Sequence, residues 1–387
     1  MALKTLAALI GIGFAGLAFA SGSGATVPGQ NGKLLLERND SGEVTFFLTN
    51  PVSQKLVKVP ATSSTYSGSF SPNGKSLAYI ANPRDQLWIG SATNLLSPIQ
   101  LTDQPESYIE DPVFAPGGNR VFYLSADGFS DWSLESIPTV GGDPTAITAL
   151  LNLRGGIDIP PDGKSIAYGG SDLHLMDPDG ENVRDLETGL PATSPSFSPD
   201  GSRLAFSAPD SDGVEQIHSI SRFGSGIRQL TTGPEGGSRP VFSPDGRKIA
   251  YTTAHTPYSE GDHVRVMNAN GSNSRRLPST VGMTVDDWQR KAPFILRKAV
   301  HTFGPLRIVK LEAEVFGPGR LRLSGRFVKA TTRVFKSGRT VTVPIKLSLK
   351  KAIARKGKAR LTVRARFEPA GGLPNKIKRS FTMGLGN

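Results

Sequence analysis

Phe242-Ser243-Pro244-Asp245-Gly246-Arg247, running on into Lys248-Ile249-Ala250-Tyr251, is the stretch that decides how this chain folds. An extended run ends on an aromatic residue, the backbone turns, and alternating residues begin a second run, which is the pattern of a β-hairpin. Proline presets φ for the first turning residue, aspartate caps the local backbone, and glycine accepts the left-handed conformation that a three-residue hairpin requires. The phrase recurs as Phe70-Ser71-Pro72-Asn73-Gly74-Lys75, Phe114-Ala115-Pro116-Gly117-Gly118-Asn119, Ile159-Pro160-Pro161-Asp162-Gly163-Lys164 and Phe197-Ser198-Pro199-Asp200-Gly201-Ser202.

A sixth copy is divided between distant parts of the chain. Asn31-Gly32-Lys33-Leu34-Leu35-Leu36 has the turn and the second strand, whereas Thr284-Val285-Asp286-Asp287-Trp288 has an aromatic strand with no turn behind it. The period of about 38 to 46 residues suits one four-stranded blade per repeat. Pairing the two halves closes the ring and removes the free edges of an open sheet. The expected fold class is therefore all-β: a six-bladed β-propeller over residues 26–290, latched by its own ends. Phe70, Phe114, Phe197, Phe242 and Trp288 are expected to wedge between blades, each contributing about 2 to 3 kcal/mol through buried area.

These five phrases closely resemble the TolB-like propeller repeat, a relative of WD-type repeats. The resemblance spans about two thirds of the chain. It implies the fold and a binding-scaffold expectation. The Tol-system role does not carry over, because no α/β domain precedes the repeats and a basic segment follows them.

Outside the repeats, residues 1–20 combine Lys4, an apolar run from Leu6 to Phe19 and an Ala18-Phe19-Ala20 exit, which reads as a secretory signal peptide. An extracytoplasmic location follows: secreted, periplasmic or wall-associated. The chain has no cysteine, so neither disulfides nor a thiol-linked acyl chain are available. The net charge of +12 is uneven. From Arg290 onward there are 25 Lys and Arg against 3 acidic residues, leaving 20 against 30 before it.

Residues 291–304 read as a linker, and 305–387 as a small Ig-like β-sandwich with a cationic exterior. Val309, Leu311, Ala313 and Val315 share one face, as do Leu361, Val363, Ala365 and Phe367. Arg320, Arg322, Arg326, Arg360, Arg364 and Arg366 fall on the opposite phase and are candidate polyanion contacts. Arg379 falls on the apolar phase, which predicts a bulge, and Leu349 to Arg355 reads as a short helical crossover.

Chemical motifs are scarce. There is no Gly-x-Ser-x-Gly nucleophile elbow and no His-Glu-x-x-His, and the turns Asp177–Gly180 and Asp210–Gly213 lack the remaining ligands of a calcium loop. No metal, cofactor or catalytic residue is assigned. Loops entering the inner strands converge at the channel mouth, where propeller ligands bind. The candidates there are Ser67, Asp111, Gly156, Ser194, Arg239 and Asp286, with Asp158 and Asp287 close by: a net acidic ring for a peptide or a small cation. The leading expectation is a non-catalytic scaffold whose propeller recognises a protein, peptide or glycan while the basic unit contacts anionic envelope polymers. The alternatives are a channel-mouth lyase or hydrolase, and a nucleic-acid binder.

Overall fold

The chain is seen here as a computed structural model that describes residues 29–384, apart from positions 41, 62, 83–84, 105–106, 127–131, 150–154, 254–261, 292–293, 303–307, 316–318, 326–327, 337–338, 347–357 and 370–374. The signal segment, Arg326 and the expected crossover at 349–355 lie outside the described residues.

The hairpin phrase does what its residue types dictate. Gly246 sits at φ 73° and its N–H donates to the Ser243 carbonyl at 2.8 Å. The Asp245 carboxylate accepts from the Arg247 N–H and the Ser243 hydroxyl, and that hydroxyl oxygen accepts in turn from the Lys248 N–H at 2.9 Å. Serine in the phrase is thus a second fastener of the turn, and Ser71 and Ser198 repeat its bonds.

Six four-stranded antiparallel sheets follow one another through residues 31–290. The first combines Asn31–Asp40, Glu43–Thr49 and Leu56–Lys58 with the distant strand Met283–Arg290. The other five begin with the inner strands Thr65–Phe70, Tyr108–Phe114, Ile157–Asp158, Thr193–Phe197 and Ser238–Phe242. Leu34 pairs with Trp288 and Leu35 with Asp287, so the two halves of the divided repeat share one sheet. Gln289 fastens them by accepting from the Lys33 N–H at 3.2 Å, and its amide donates to the Gly74 carbonyl in the turn of the second sheet at 2.7 Å.

The core lies between sheets rather than within them. Phe70 packs with Leu35 and Phe46 of the first sheet, and Phe114 with Ile80 and Leu87 of the second. Phe197 packs with Leu173 of the fourth sheet, and Phe242 with Ile217 of the fifth. Trp288 packs with Val264 and Leu277 of the sixth, so the run of cores returns to its start. At the third-to-fourth boundary Ile159 holds the wedge position against Phe122 and Leu134. His218 and His174 are ordinary blade residues. The first stacks on Phe206, and the second stacks on Tyr168 while its Nδ1 meets Asp185 at 2.6 Å.

After residue 291 come a three-stranded sheet, Phe294–Thr302, Ile308–Val315 and Arg339–Lys346, and a four-stranded sheet ordered Val328–Phe335, Gly319–Gly325, Lys358–Pro369, Asn375–Gly384. Two expectations need correcting here. Most of the segment read as a linker, Phe294–Thr302, is a strand paired with Ile308–Val315, and a bulge between Leu296 and Lys298 breaks the alternation that would have shown it. Arg379 pairs with Val363 in an unbroken register, so no bulge intervenes there. Ala313, Val315, Leu321, Leu323, Phe335, Val363, Ala365 and Phe367 are buried, and Arg320, Arg322, Arg364 and Arg366 are exposed. No helix among the described residues is long and apolar enough to cross a membrane.

Candidate functional site

Five of the six inner strands are irregular just before the wedge residue. Register breaks fall between Tyr66 and Gly68, Glu110 and Val113, Thr193 and Ser196, and Ser238 and Val241, and the closing strand breaks opposite Leu35/Leu36, where Asp286 is the extra residue. At these bulges Ser67, Asp111, Ser194 and Arg239 hold φ of 48°, 47°, 49° and 49°, and Gly156 holds 77° at the matching place. A non-glycine residue in this region costs on the order of 1 to 3 kcal/mol and persists where the surroundings impose it. Bulges re-aim side chains. Here residues from six sheets meet at one cavity of about 280 Å³, which all eight sequence-nominated channel residues line.

Polar contacts link the mouth residues. The Ser67 hydroxyl donates to Asp111 at 3.3 Å, and the Ser67 N–H donates to Glu37 at 3.0 Å. Asp286 accepts from the Gly68 N–H at 3.3 Å and faces the Arg239 guanidinium at 3.7 Å. The Arg239 N–H donates to the Ser207 hydroxyl at 3.1 Å, and Ser194 donates its N–H to the Gly155 carbonyl.

Asp158 and Asp287 have a different place. Each stands one residue before its wedge and bridges two sheets: Asp287 accepts from the Trp288 and Phe70 N–H groups at 2.6 and 2.7 Å, and Asp158 from those of Ile159 and Phe197 at 2.8 and 2.6 Å. Ser196 is their counterpart and accepts from the Phe242 N–H at 3.3 Å. These carboxylates line the channel, yet their oxygens are engaged in holding neighbouring sheets together.

Burial raises most of the acids. It drives the Asp158 carboxyl up to about 8 against the pull of its two backbone donors, and Asp287 up to about 6. Asp286 is pushed well above the usual range by burial and by Glu37, with Arg239 only partly offsetting them. Glu110 is raised by burial and by neighbouring Asp111. For Arg239 burial acts against the charge, but Asp286, Glu37, Asp111 and Glu110 together outweigh it and raise its pKa. At the turn end of the channel, burial alone brings Arg290 down to about 10.

Glu37, Glu110 and Arg290 escaped the sequence reading. Arg290 carried a signal, because aligning Trp288 with Phe70 and Phe242 sets Arg290 against Pro72 and Pro244. Glu37 belongs to the second strand of the divided repeat, and no spacing rule connects it with Asp286. Among the described residues no group of three or more His, Asp or Glu side chains is arranged to hold a metal ion. At the mouth the Arg239 guanidinium lies in the field of Asp286, Glu37, Asp111 and Glu110, with Asp286 facing it.

The fold is that of the TolB-like β-propellers. A TolB-type protein from Agrobacterium tumefaciens superposes over 64% of this chain and 89% of its own, at 22% identity and a TM-score of 0.51. TolB from Acinetobacter baumannii does so over 66% of each chain, at 18% identity and a TM-score of 0.55. An oligogalacturonate lyase in complex with manganese superposes over 66% of this chain and 77% of its own, at 18% identity and a TM-score of 0.48. No protein-family model and no curated protein matches the sequence.

Proposed function

We propose that the chain is an exported binding scaffold that takes a cationic segment of a protein or peptide at the propeller mouth and attaches through its C-terminal unit to an anionic polymer of the cell envelope. The observation that carries this reading is the ring of bulged inner strands, where left-handed Ser67, Asp111, Ser194 and Arg239 meet Glu110 and Asp286 at one cavity, with Glu37 bonded to the Ser67 N–H. Backbone strain repeated at one register position is characteristic of functional surfaces. The TolB-like fold supports protein recognition, and the signal-like residues 1–20 support export.

The C-terminal strands, taken in chain order as a to g, form sheets a-b-e and d-c-f-g, which supports an Ig-like sandwich. Residues 26–290 and the strands from Phe294 onward are then two domains joined close to Lys291.

The test is capture of partners from envelope extracts by the full chain and by the Asp111→Ala and Arg239→Ala variants. Loss of the same partner from both variants is expected. Unchanged capture by both would remove the mouth from the mechanism.

A further inference from the structure

The C-terminal four-stranded sheet carries a row of like charges that its register sets side by side. Arg322 stands opposite Arg366, Arg366 stands opposite Lys376, and Thr332 completes the row on the fourth strand. Ser324, Arg364 and Lys378 form the next row. Neighbouring strands lie about 4.8 Å apart, and like charges directly opposite one another destabilise a sheet. Glu368 is the only acid in these four strands, and it meets Arg366 at 2.9 Å. The other phase of the pleat holds buried Leu321, Leu323, Val363, Ala365 and Phe367, so the cationic residues cannot exchange faces without moving the core into water. Rows of exposed cations held at fixed intervals, with one acid beside them, form a surface complementary to a polyanion.

We infer that this face binds a linear phosphodiester polymer laid along the strands, an inference that rests on the envelope-polymer reading above and specifies its ligand. Alternate residues of a strand repeat every 6.8 Å or so, which sets Arg364 and Arg366 at that interval, with Lys378 and Lys376 beside them. A three-carbon phosphodiester repeat, extended, spans about 7 Å between phosphates. Guanidinium forks match phosphate oxygens with two parallel hydrogen bonds, and lysines add point charge. Nucleic acid is the poorer fit, because no aromatic residue stands in either row to stack a base. A lipid surface is poorer too. Val334 is the one exposed large apolar side chain described in these strands.

The experiment titrates the full chain with poly(glycerol phosphate), with polygalacturonate and with phosphatidylglycerol vesicles, from roughly 50 to 300 mM salt. The phosphodiester polymer should bind most tightly, with log K falling linearly in log salt. In the Arg322→Gln/Arg366→Gln variant, affinity should drop at least about tenfold and the slope should flatten by about two cations. The thermal midpoint of that variant should hold or rise, since a repulsive row has been relieved, and this separates a lost contact from a lost fold. Tighter binding of polygalacturonate overturns the phosphodiester assignment, and wild-type affinity in the variant overturns the assignment to this face; either leaves the polyanion reading standing. Binding to vesicles without binding to free polymer assigns the face to lipid. No binding to any of the three at low salt removes both readings.

Discussion

The propeller and the C-terminal strands both carry many charges and handle them in opposite ways. In the ring, carboxylates are drawn inward, bonded to backbone N–H groups of the neighbouring sheet, and shifted by burial: Asp158 and Asp287 tie sheets together and Asp286 faces Arg239. In the C-terminal four-stranded sheet, Arg322, Arg364 and Arg366 stay exposed on the outer phase, with Arg322 opposite Arg366 across strands. Enclosed charge recognises by geometry and is sensitive to pH, whereas exposed charge of one sign attracts at a distance and is sensitive to salt.

The most severe way to break this contrast is at the latch. Trp288→Ala should cost about 3 to 5 kcal/mol in chemical denaturation, since it empties a core that joins the first and sixth sheets. Arg366→Gln in the outer rows should shift stability by no more than about 0.5 kcal/mol. If the two variants lost equal stability, the ring would not depend on its latch.

Proton linkage sharpens the contrast next. Asp158 titrates at about 8 in the fold and near 3.9 in an unfolded chain, so between those values the folded state holds the extra proton. Stability is then full at low pH and declines as pH rises through 8, by up to about 1.4 kcal/mol per unit for this group. Asp287 adds a decline that is complete near 6. Thermal midpoints measured from pH 5 to 9 should fall, and Asp158→Asn should flatten the segment between 6 and 8. A midpoint that rises over this range would contradict the buried acid.

A smaller effect separates collision from backbone strain. A Cβ on Gly74 would run into the Arg290 carbonyl, whereas at Gly226 it would meet open space, although both glycines hold nearly the same φ, 68° and 66°. Gly226→Ala should cost about 1 kcal/mol, and Gly74→Ala clearly more, because only there must the latch strand move. Equal losses would mean that the turn does not press on the latch.

The smallest expected change is a gain. Ser194→Gly relieves a left-handed residue at the mouth and should add about 0.5 to 1 kcal/mol of stability while weakening partner capture. A variant that is more stable and still captures normally would leave the strain at Ser194 without a role in binding.

The sequence made the ring legible because its turns are made of residues with narrow conformational preferences. Pro244, Asp245 and Gly246 can do little else in that order, and Trp288 lacked a turn only because Asn31 and Gly32 supply it. The mouth was legible as a set of positions but not as chemistry. Nothing in the spacing shows that Ser67 and Arg239 are left-handed, that Glu37 approaches Asp286, or that Asp158 spends its oxygens on Ile159 and Phe197. Those facts depend on how neighbouring sheets meet, which is long-range information. The strand Phe294–Thr302 was missed for a local reason, since one bulge is enough to scramble a period of two.

The pairing of Asn31 with Arg290 has one more consequence. The Gly29 N–H donates to the Pro244 carbonyl and the Lys291 N–H to the Gln30 carbonyl, so the backbone reaches and quits the ring side by side, at the end where the hairpin turns lie. Both leashes are hitched to the underside of the wheel. A load hung on either one is attached at the turn end, away from the bulged residues Ser67, Asp111, Ser194 and Arg239.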